Sequence, residues 1–521
     1  MQYDATRAGN LSDLVRQAAR RRGDHPALLF RDQRVTWTEL DRDVDAVAAV
    51  LRHRHEPGDR VAIALGNVPD FARVYFGALR AGLVAVPVNP SYRAGELRHI
   101  LSDSGASILV GTASVAAEVA PLRAELPELR EVYTPHGEED SSPLRELISD
   151  DPAPEAAIGG GDDLAVLLYT SGTEGQPKGA MLSHRAFHTN LEQLDDMQPR
   201  VLGATDVMLL ALPLFHSYGL GPGLHAIARH GATGVLVERF DPAETLALIQ
   251  RHHVSVVLGV PQMYAAWSRL EELEEAFASV RLAVSGAAPL DVTAQRAFRE
   301  RTRQRVFEGY GLTEAAPVVT STLMSPVSKP GSIGRPLPGV ELKLVGLDGQ
   351  QINPQEHEDD EDTTPGTDPG EIWVRGGNLF SGYWPDGRDG PDADGWWATR
   401  DLAYADGDGD LFLVDRLREL VLVSGFNVYP REVEQVLDKH PDVREAAVIG
   451  VPHPETGETV KAFVVPEPGR APTADDLASY CAQHLARFKC PTSIEFVDEL
   501  PHSVTGKVRK SLLRDLASEG A

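Results

Sequence analysis

The residues best suited to chemistry lie together in the stretch YTSGTEGQPKG at residues 169–179. Its glycines let the backbone bend toward a ligand, and its hydroxyls and one ammonium group can hold negative charge. The stretch lacks the G-x-x-x-x-G-K-[ST] spacing of a Walker A loop, and Glu174 places a carboxylate inside it. A polar surface turn without a ligand is the alternative interpretation. The residues that would wrap a polyphosphate are Thr170, Ser171, Gly172, Thr173 and Lys178.

The loop is flanked by two segments of different periodicity. LAVLLY before it is a short apolar run typical of a buried strand, and AMLSHRAFHTNLEQL after it has helical spacing. The sequence therefore predicts that the loop lies at a strand-to-helix turn, where the first amides of a helix favour anions.

The composition indicates a globular protein with more than one domain. The chain has 521 residues, and 50 Lys and Arg against 77 Asp and Glu give a net charge of −27, which argues against a nucleic acid partner. The chain starts without an apolar signal core, and no apolar run approaches the ~18 residues that span a bilayer, so we expect a cytoplasmic protein without an integral membrane segment. The two cysteines, Cys481 and Cys490, lack metal-ligand spacing, which argues against a disulfide framework or a zinc site.

Strand-like and helix-like segments alternate between residues 25 and 350. RVAIAL, FARVYFGALRAG and VAVPVN follow one another in this way, which is typical of an α/β fold with largely parallel sheets. Residues 355–370 are acidic and rich in proline and glycine, so we expect a solvated loop there. Beyond residue 415, a predicted helix REVEQVLDKH and strands VREAAVIGVP and VKAFVVP indicate a small α+β domain.

Five further motifs follow the opening loop along the chain. They are SGAAPL at 285–290, YGLTE at 310–314, ATRD at 398–401, DRLRELVLVSGFNVYPREVE at 415–434 and PHSVTGKVRK at 501–510. In this order they resemble the adenylate-forming superfamily, in its acyl-CoA synthetase branch, over essentially the whole chain. The resemblance implies a large N-terminal domain at 1–415, built of layered, mostly parallel sheets with helices and a small β-barrel-like subdomain. It also implies a small, mobile α+β C-terminal domain at 416–521.

The resemblance implies that the protein joins a carboxylic acid to a thiol in two steps. The acid attacks the α-phosphate of ATP to give an acyl-adenylate and pyrophosphate, and the acyl group then passes to coenzyme A. The glycine-rich loop would hold the β- and γ-phosphates through residues 170–173 and Lys178. Thr313 would contact the α-phosphate and Glu314 would bind Mg²⁺. Taken alone, a turn threonine and an exposed glutamate are more often merely solvated.

The same resemblance assigns the adenine site. Tyr310, followed by Gly311, would offer its aromatic face to the base. The small-residue backbone of Gly286, Ala287 and Ala288 would close the other side. Without the motif, Tyr310 would be taken for a core tyrosine.

The resemblance also implies which residues bind the ribose and the reacting carboxylate. Asp401 would accept hydrogen bonds from both ribose hydroxyls, and Arg416 would support it. Lys507 would bridge the incoming carboxylate and the α-phosphate, where an ammonium group offsets the repulsion between two anions. The C-terminal domain would therefore have to close over the larger one.

The second step needs another surface, because the thiol must reach the carbonyl from a side that the lysine leaves open. The resemblance places the pivot of a domain rotation at Arg418. The turn SGFN at 424–427, with Ser424 and Gly425, would then line the pantetheine tunnel.

The segment LPLFHSYGL at 212–220 resembles the one beside the acyl carboxylate, and His216 is the candidate to gate the pocket. Amino-acid-activating relatives usually have an aspartate there, so its absence favours an acid without an α-amino group. The apolar, glycine-rich sequence that follows favours a medium- or long-chain fatty acid, although small aromatic acids use similar segments.

Three alternatives stay open at the level of sequence. The acyl group could pass to a carrier protein instead of free coenzyme A, or the chain could be a luciferase-like oxygenase. A catalytically impaired regulatory homologue is the third, because Glu174 stands where relatives have Thr or Ser and Arg400 where they have Gly. Retention of the lysine, the two acidic ligands and Arg416 argues against it.

Overall fold

The computed structural model describes residues 9–137, 141–149, 155–170, 176–352, 366–502 and 508–519. The chain divides into two compact units, Met1–Glu341 with Arg375–Trp397, and Leu342–Val374 with Ala398–Ala521. The second unit therefore includes chain that the sequence assigned to the N-terminal domain. A mobile part that begins at residue 416 stays a prediction.

The helices are mostly short, and several begin with a side-chain cap. The Thr36 hydroxyl accepts from the Glu39 amide and the Glu39 carboxylate accepts from the Thr36 amide, which is a capping box at the start of α2. The α-helices are α1 Asp13–Arg22, α2 Trp37–Arg54, α3 Pro69–Arg80, α4 Ala94–Ser104, α5 Ala113–Val119, α6 His184–Asp195, α7 Ser217–Gly219, α8 Ala226–His230, α9 Pro242–Arg251, α10 Pro261–Trp267, α11 Leu273–Ala276, α12 Val292–Thr302, α13 Pro430–Leu437, α14 Ala474–His484 and α15 Lys510–Glu519.

The strands are rich in apolar and β-branched residues, as expected for strands covered on both faces. Those up to residue 311 are β1 Pro26–Phe30, β2 Gln33–Thr36, β3 Arg60–Ala64, β4 Val84–Pro87, β5 Ile108–Gly111, β6 Glu131–Thr134, β7 Ser142–Pro143, β8 Leu164–Thr170, β9 Lys178–Ser183, β10 Val207–Leu210, β11 Thr233–Leu236, β12 Val256–Gly259, β13 Leu282–Ser285 and β14 Val306–Gly311. The later strands are β15 Val318–Ser321, β16 Arg335–Pro336, β17 Glu341–Val345, β18 Gly370–Arg375, β19 Trp396–Ala405, β20 Leu411–Arg416, β21 Val421–Val423, β22 Phe426–Val428, β23 Val443–His453, β24 Gly457–Pro466 and β25 Ser493–Phe496.

The first unit contains two large sheets, which confirms the layered, mostly parallel architecture. One sheet has the order β16-β15-β14-β13-β12-β10-β11-β1-β2, and its inner strands from β14 to β1 pair in parallel. The other has the order β7-β6-β5-β3-β4-β8-β9, and only its β8–β9 pair is antiparallel among the described residues. Ligands in such sheets bind outside the carboxyl ends of the strands.

The glycine-rich loop joins two antiparallel strands, so the predicted strand-to-helix turn is wrong. Lys178–Ser183 is strand β9, which pairs along β8 with Thr170 opposite Lys178, and helix α6 begins only at His184. Ser183 caps that helix by accepting from the Ala186 amide. Strand β9 therefore separates the loop from the N-terminus of α6.

Among the described residues of the first unit, His184 and His225 are buried, and His188, on the same helix as His184, is half-buried. Burial is the main cause that lowers the pKa of His184 and of His188, both on α6, to about 4, and it also lowers the pKa of His225 well below its ordinary value. The Leu11 amide donates to His184 Nδ1 at 3.1 Å, and the Tyr75 hydroxyl lies 2.8 Å from His225 Nε2. The interior around these rings favours the neutral imidazole.

The second unit contains two smaller sheets. The small β subdomain is a four-stranded sheet, β17-β18-β19-β20, most of whose residues belong to this unit. The C-terminal sheet has the order β22-β21-β24-β23 with β25 parallel to β24, and α13 and α14 pack with it around one apolar cluster. The predicted C-terminal helix and strands are confirmed, with the helix beginning at Pro430 and ending at Leu437.

Within the described ranges, we find no helix that combines the length and the apolar character needed to cross a bilayer.

Candidate active site

The phosphate side of the site begins at the hairpin of β8 and β9. Thr170 and Lys178 are Cα partners at its open end. At Gly179 an added Cβ would come within 3.2 Å of the Tyr169 ring, a tight contact that favours glycine there. The predicted ligands Ser171, Gly172 and Thr173 lie outside the described residues, as does Glu174.

Lys178 has a carboxylate neighbour that the sequence did not indicate. Its Nζ lies 3.3 Å from Asp389 Oδ2 and 5.4 Å from the centre of the Tyr383 ring. Both members of the ion pair are more than one-third exposed, so the pair itself contributes little stability. A phosphate group can therefore compete for the ammonium at low cost.

Glu314 is buried and held by the same tyrosine. Its Oε1 accepts a hydrogen bond from the Tyr383 hydroxyl at 2.6 Å, and its backbone carbonyl accepts from the Phe380 amide at 2.8 Å. Tyr383 thus touches both the lysine of the glycine-rich loop and the predicted metal ligand. A single carboxylate suits Mg²⁺, which is commonly held by one or two carboxylates together with substrate phosphates.

Thr313 lies beside the predicted acyl segment. Its Oγ1 is 3.4 Å from the hydroxyl of Ser217, the first residue of α7. His216 caps that short helix, because its Nδ1 accepts from the Tyr218 amide at 3.3 Å. The structure therefore brings Thr313 and His216, almost a hundred residues apart in sequence, to one place.

Tyr218 lies against the predicted adenine segment. An added Cβ at Gly286 would lie 3.0 Å from its ring, and Ala287 adopts a left-handed conformation with φ of 69°. Burial raises the pKa of Tyr218. Its Oη and the Ser285 Oγ are inaccessible to solvent, and neither has a hydrogen-bond partner among the described residues. Ala288 is half-buried beside them in the chain.

Tyr310 and Gly311 lie at the end of β14. Tyr310 pairs with Thr320 on β15 and is 8% exposed, so most of its ring is already covered by protein. Gly311 is required by packing, since an added Cβ would lie 2.3 Å from the Pro317 carbonyl oxygen. The contact of Tyr310 with adenine stays a prediction.

The predicted ribose ligands lie in the second unit. Asp401 on β19 and Arg416 on β20 are Cα partners, and Arg416 Nε lies 3.1 Å from Asp401 Oδ1. Arg400 has a φ of 64°, a left-handed conformation that favours glycine. Glycine, which the resemblance leads one to expect at this position, adopts this conformation without steric cost.

The structure describes some of the residues that the resemblance assigns to the domain rotation and to the transfer to coenzyme A. Ser424 and Gly425, with φ of 51° and 85°, form the tight turn between β21 and β22. Arg418 lies in the 3-10 turn Leu417–Glu419, half-buried, with its Nε 3.4 Å from Glu419 Oε1, and burial lowers its pKa. Lys507 lies outside the described residues.

Comparison with known proteins identifies the family. A family model described as AMP-binding enzyme matches residues 15–384, and one described as AMP-binding enzyme C-terminal domain matches residues 432–507. The chain belongs to the AMP-binding enzyme family. This confirms the resemblance to adenylate-forming enzymes that the motifs indicated.

Individual AMP-binding enzymes match over nearly the whole chain. A long-chain-fatty-acid–CoA ligase of Yersinia pestis is 33% identical, with 99% of this chain and 95% of that protein covered. A feruloyl-CoA synthase of Amycolatopsis sp is 38% identical, with 92% and 93% covered. The crystal structure of ATP-bound MatB from Rhodopseudomonas palustris has a TM-score of 0.87 at 32% identity, with 98% and 99% covered.

Three residues of this AMP-binding enzyme's site escaped the sequence analysis. Tyr383, Asp389 and Ser217 contact predicted site residues but were not themselves predicted as site residues. The aromatic, glycine-rich run GGNLFSGYW at residues 376–384 was the available signal for Tyr383. Ser217 and Tyr218 lay inside the acyl segment, next to His216.

Proposed function

We propose that this AMP-binding enzyme is an ATP-dependent acid–CoA ligase. A carboxylate oxygen attacks the α-phosphorus of ATP, the bond to the β-phosphate oxygen breaks, and acyl-AMP and pyrophosphate form. The sulfur of coenzyme A then attacks the acyl carbonyl, AMP leaves, and the thiol proton is lost. One observation carries the proposal: Tyr383 contacts both Lys178 and Glu314, and Thr313 is the next residue along the chain.

Each of these side chains has a task that its position supports. The Lys178 ammonium offsets negative charge on the β- and γ-phosphates, in exchange for its contact with Asp389. The Thr313 hydroxyl donates toward the α-phosphate, where negative charge grows in the transition state. Glu314 would hold Mg²⁺, which supplies further neutralisation of phosphate charge when it is bound. Tyr383 orients the carboxylate through its hydroxyl.

The adenosine and the second step rest on residues that belong to the predicted motifs. We assign the adenine to Tyr310 and the 286–288 segment, and the ribose to Asp401 with Arg416. Lys507 is the proposed bridge between the acid and the α-phosphate. Arg418 is the proposed pivot, and the 424–427 turn the proposed pantetheine contact.

We infer that the preferred acid is a medium- or long-chain fatty acid. His216 and its neighbours supply no carboxylate for a substrate ammonium, and the following segment 219–228 is buried and apolar apart from His225. The likeness to long-chain-fatty-acid–CoA ligases supports this choice. An apolar pocket discriminates by only about 1 to 3 kcal/mol per methylene, so a range of chain lengths is expected.

An aromatic acid is the second candidate, and a specific observation favours it. The Tyr218 and Ser285 hydroxyls are buried without partners among the described residues, and an unpaired buried hydroxyl is costly. A hydroxyl or methoxy group on an aromatic acid would give them one. The likeness to a feruloyl-CoA synthase points the same way.

Pyrophosphate release across a panel of acids tests the proposal. Fatty acids from C4 to C18 and hydroxylated aromatic acids are supplied with ATP and Mg²⁺, with and without coenzyme A or a holo-carrier protein. We expect release with fatty acids, and a thioester of free coenzyme A as the product. Product masses separate free coenzyme A from a carrier protein as acceptor. Absence of release with every acid would support the regulatory alternative.

Lys507→Ala separates the two half-reactions. We expect this variant to lose acid-dependent pyrophosphate release while it still forms thioester from supplied acyl-adenylate. Equal loss of both half-reactions would contradict the proposed change of conformation. The cytoplasmic location predicted from the sequence belongs to the same proposal, and fractionation of cells that express the protein tests it.

A further inference from the structure

Arg400 is held in its left-handed conformation by bonds to the neighbouring strand. Its backbone amide donates to Glu371 Oε1 on β18 at 3.0 Å. The other carboxylate oxygen, Oε2, accepts from the Trp373 indole at 3.0 Å. Two donors on fixed groups thus immobilise the Glu371 carboxylate, and the carboxylate in turn fixes the peptide plane before Arg400.

Thr399 ties down the residues on either side. Its hydroxyl donates to the Ile372 carbonyl at 2.9 Å, and the same oxygen accepts from the Asp401 amide at 3.1 Å. The backbone from 399 to 401 is therefore anchored at three points, two of them on β18. Asp401 extends from the last of these points, toward Arg416.

From this geometry we propose that Glu371 is a positioning residue for nucleotide binding. It stabilises the left-handed backbone at Arg400, and this backbone sets the direction of the Asp401 carboxylate toward the ribose hydroxyls. The inference rests on the proposed function, because it requires Asp401 to be the ribose ligand. Glu371 itself does not touch the nucleotide.

A non-glycine residue needs such an anchor, whereas glycine does not. A left-handed conformation is unfavourable for arginine because Cβ crowds the following carbonyl, and glycine has no Cβ. Loss of the Glu371 bond should therefore let Arg400 relax to another conformation and turn Asp401 away. With glycine at 400 the same loss should be largely harmless.

Binding of AMP and of 2′,3′-dideoxy-AMP, measured by calorimetry, tests the inference. We expect Glu371→Ala to raise the Kd for AMP about tenfold, which corresponds to one hydrogen bond to a charged group. The Kd for the dideoxy nucleotide should stay unchanged, because this nucleotide lacks the ribose hydroxyls that would donate hydrogen bonds to Asp401. Glu341→Ala is the matched control, since Glu341 on β17 pairs with the exposed Arg375 instead.

Two further variants keep the test decisive. Arg400→Gly in the Glu371→Ala background should restore AMP binding to within about twofold of wild type. Thr399→Val removes two of the three anchors and should weaken binding of AMP but not of the dideoxy nucleotide. This variant replaces Glu371→Ala in the test if Glu371→Ala does not fold.

Results that contradict the role of Glu371 differ from the result that contradicts the proposed function. Unchanged AMP binding, equal weakening of both nucleotides, or no rescue by Arg400→Gly would each overturn the role of Glu371. A wild-type protein that does not bind AMP would overturn the proposed function and this inference with it.

Discussion

Lys178 and Glu314 in the first unit meet at one tyrosine that arrives from far along the chain, whereas Asp401 and Arg416 in the second are partners on adjacent strands. The predicted phosphate and metal ligands are thus held by side chains, and the predicted ribose ligands by backbone pairing. A single substitution can dismantle the first without moving a strand. The second should withstand loss of a side chain and fail when its backbone conformation changes.

The largest effect is expected at Glu314. Glu314→Gln keeps an oxygen that accepts from the Tyr383 hydroxyl but removes the negative charge that suits Mg²⁺. We expect kcat for pyrophosphate release to fall by about a hundredfold or more, because a charge beside the phosphates is lost in a protected site. Steady-state kinetics against Mg²⁺ concentration measures this.

Tyr383→Phe is the matched variant for that experiment. It keeps the ring beside Lys178 and removes only the hydrogen bond to Glu314, so activity should fall by roughly tenfold or less. Equal loss in the two variants would show that orientation, and not charge, is what Glu314 contributes.

Acid should destabilise the first unit through two histidines of α6. The folded pKa of His184 and His188, about 4, lies below the value near 6.5 expected for the unfolded chain, so the unfolded state binds more protons between these values. The part of the folding stability that depends on these two histidines is fully present above pH 6.5 and is lost as the pH falls toward 4. Each histidine contributes up to about 3 kcal/mol.

Urea unfolding at pH 7.5, 6, 5 and 4.5 tests this prediction. We expect the free energy of unfolding to fall steadily over this range, and His184→Asn to flatten the dependence at some cost in stability at pH 7.5. His53→Asn, at an exposed position on α2, should leave the slope unchanged. A slope that neither variant alters would locate the sensitivity elsewhere.

Lys178→Ala should have a smaller effect than Glu314→Gln. Loss of one ammonium near the phosphates should raise the KM for ATP roughly tenfold without changing the order of preference among acids. Lys178→Arg keeps the charge and should recover most of the loss. A changed acid preference would place Lys178 near the acyl group and contradict its assignment.

Asp389 gives the smallest effect, and in the opposite direction. Asp389→Asn removes the carboxylate that shares the Lys178 ammonium, so ATP should bind about two- to threefold more tightly, as expected for an exposed ion pair. The KM for ATP at low ionic strength measures this. A higher KM would mean that Asp389 positions the lysine instead of competing for it.

The sequence predicted the site best where function depends on a local pattern. Lys178, Glu314 and Asp401 each stand in a short motif that resembles the family's, so they could be proposed as phosphate, metal and ribose ligands without coordinates. Tyr383 could not be, since its role depends on the return of residues 375–397 to the first unit. The run GGNLFSGYW at residues 376–384 is a local pattern, but it does not indicate which residues Tyr383 contacts.

The error at β9 has a similar cause. The run KGAMLS is too short for its periodicity to distinguish a strand from the start of a helix. What decides is the pairing with β8 on the other side of the loop, which is a tertiary interaction. The parallel strands β3 and β4 were easier to predict, because longer helices separate them from their neighbours.

The left-handed backbone at Arg400 also constrains the order in which this sequence can change. If Glu371 is the anchor, its replacement is harmful while arginine occupies position 400 and nearly neutral once glycine does. The two positions are then epistatic, and one of the two single-step routes between the Glu–Arg and Ala–Gly combinations passes through a weakened enzyme. The route that avoids the weakened enzyme replaces Arg400 with glycine before Glu371 is replaced.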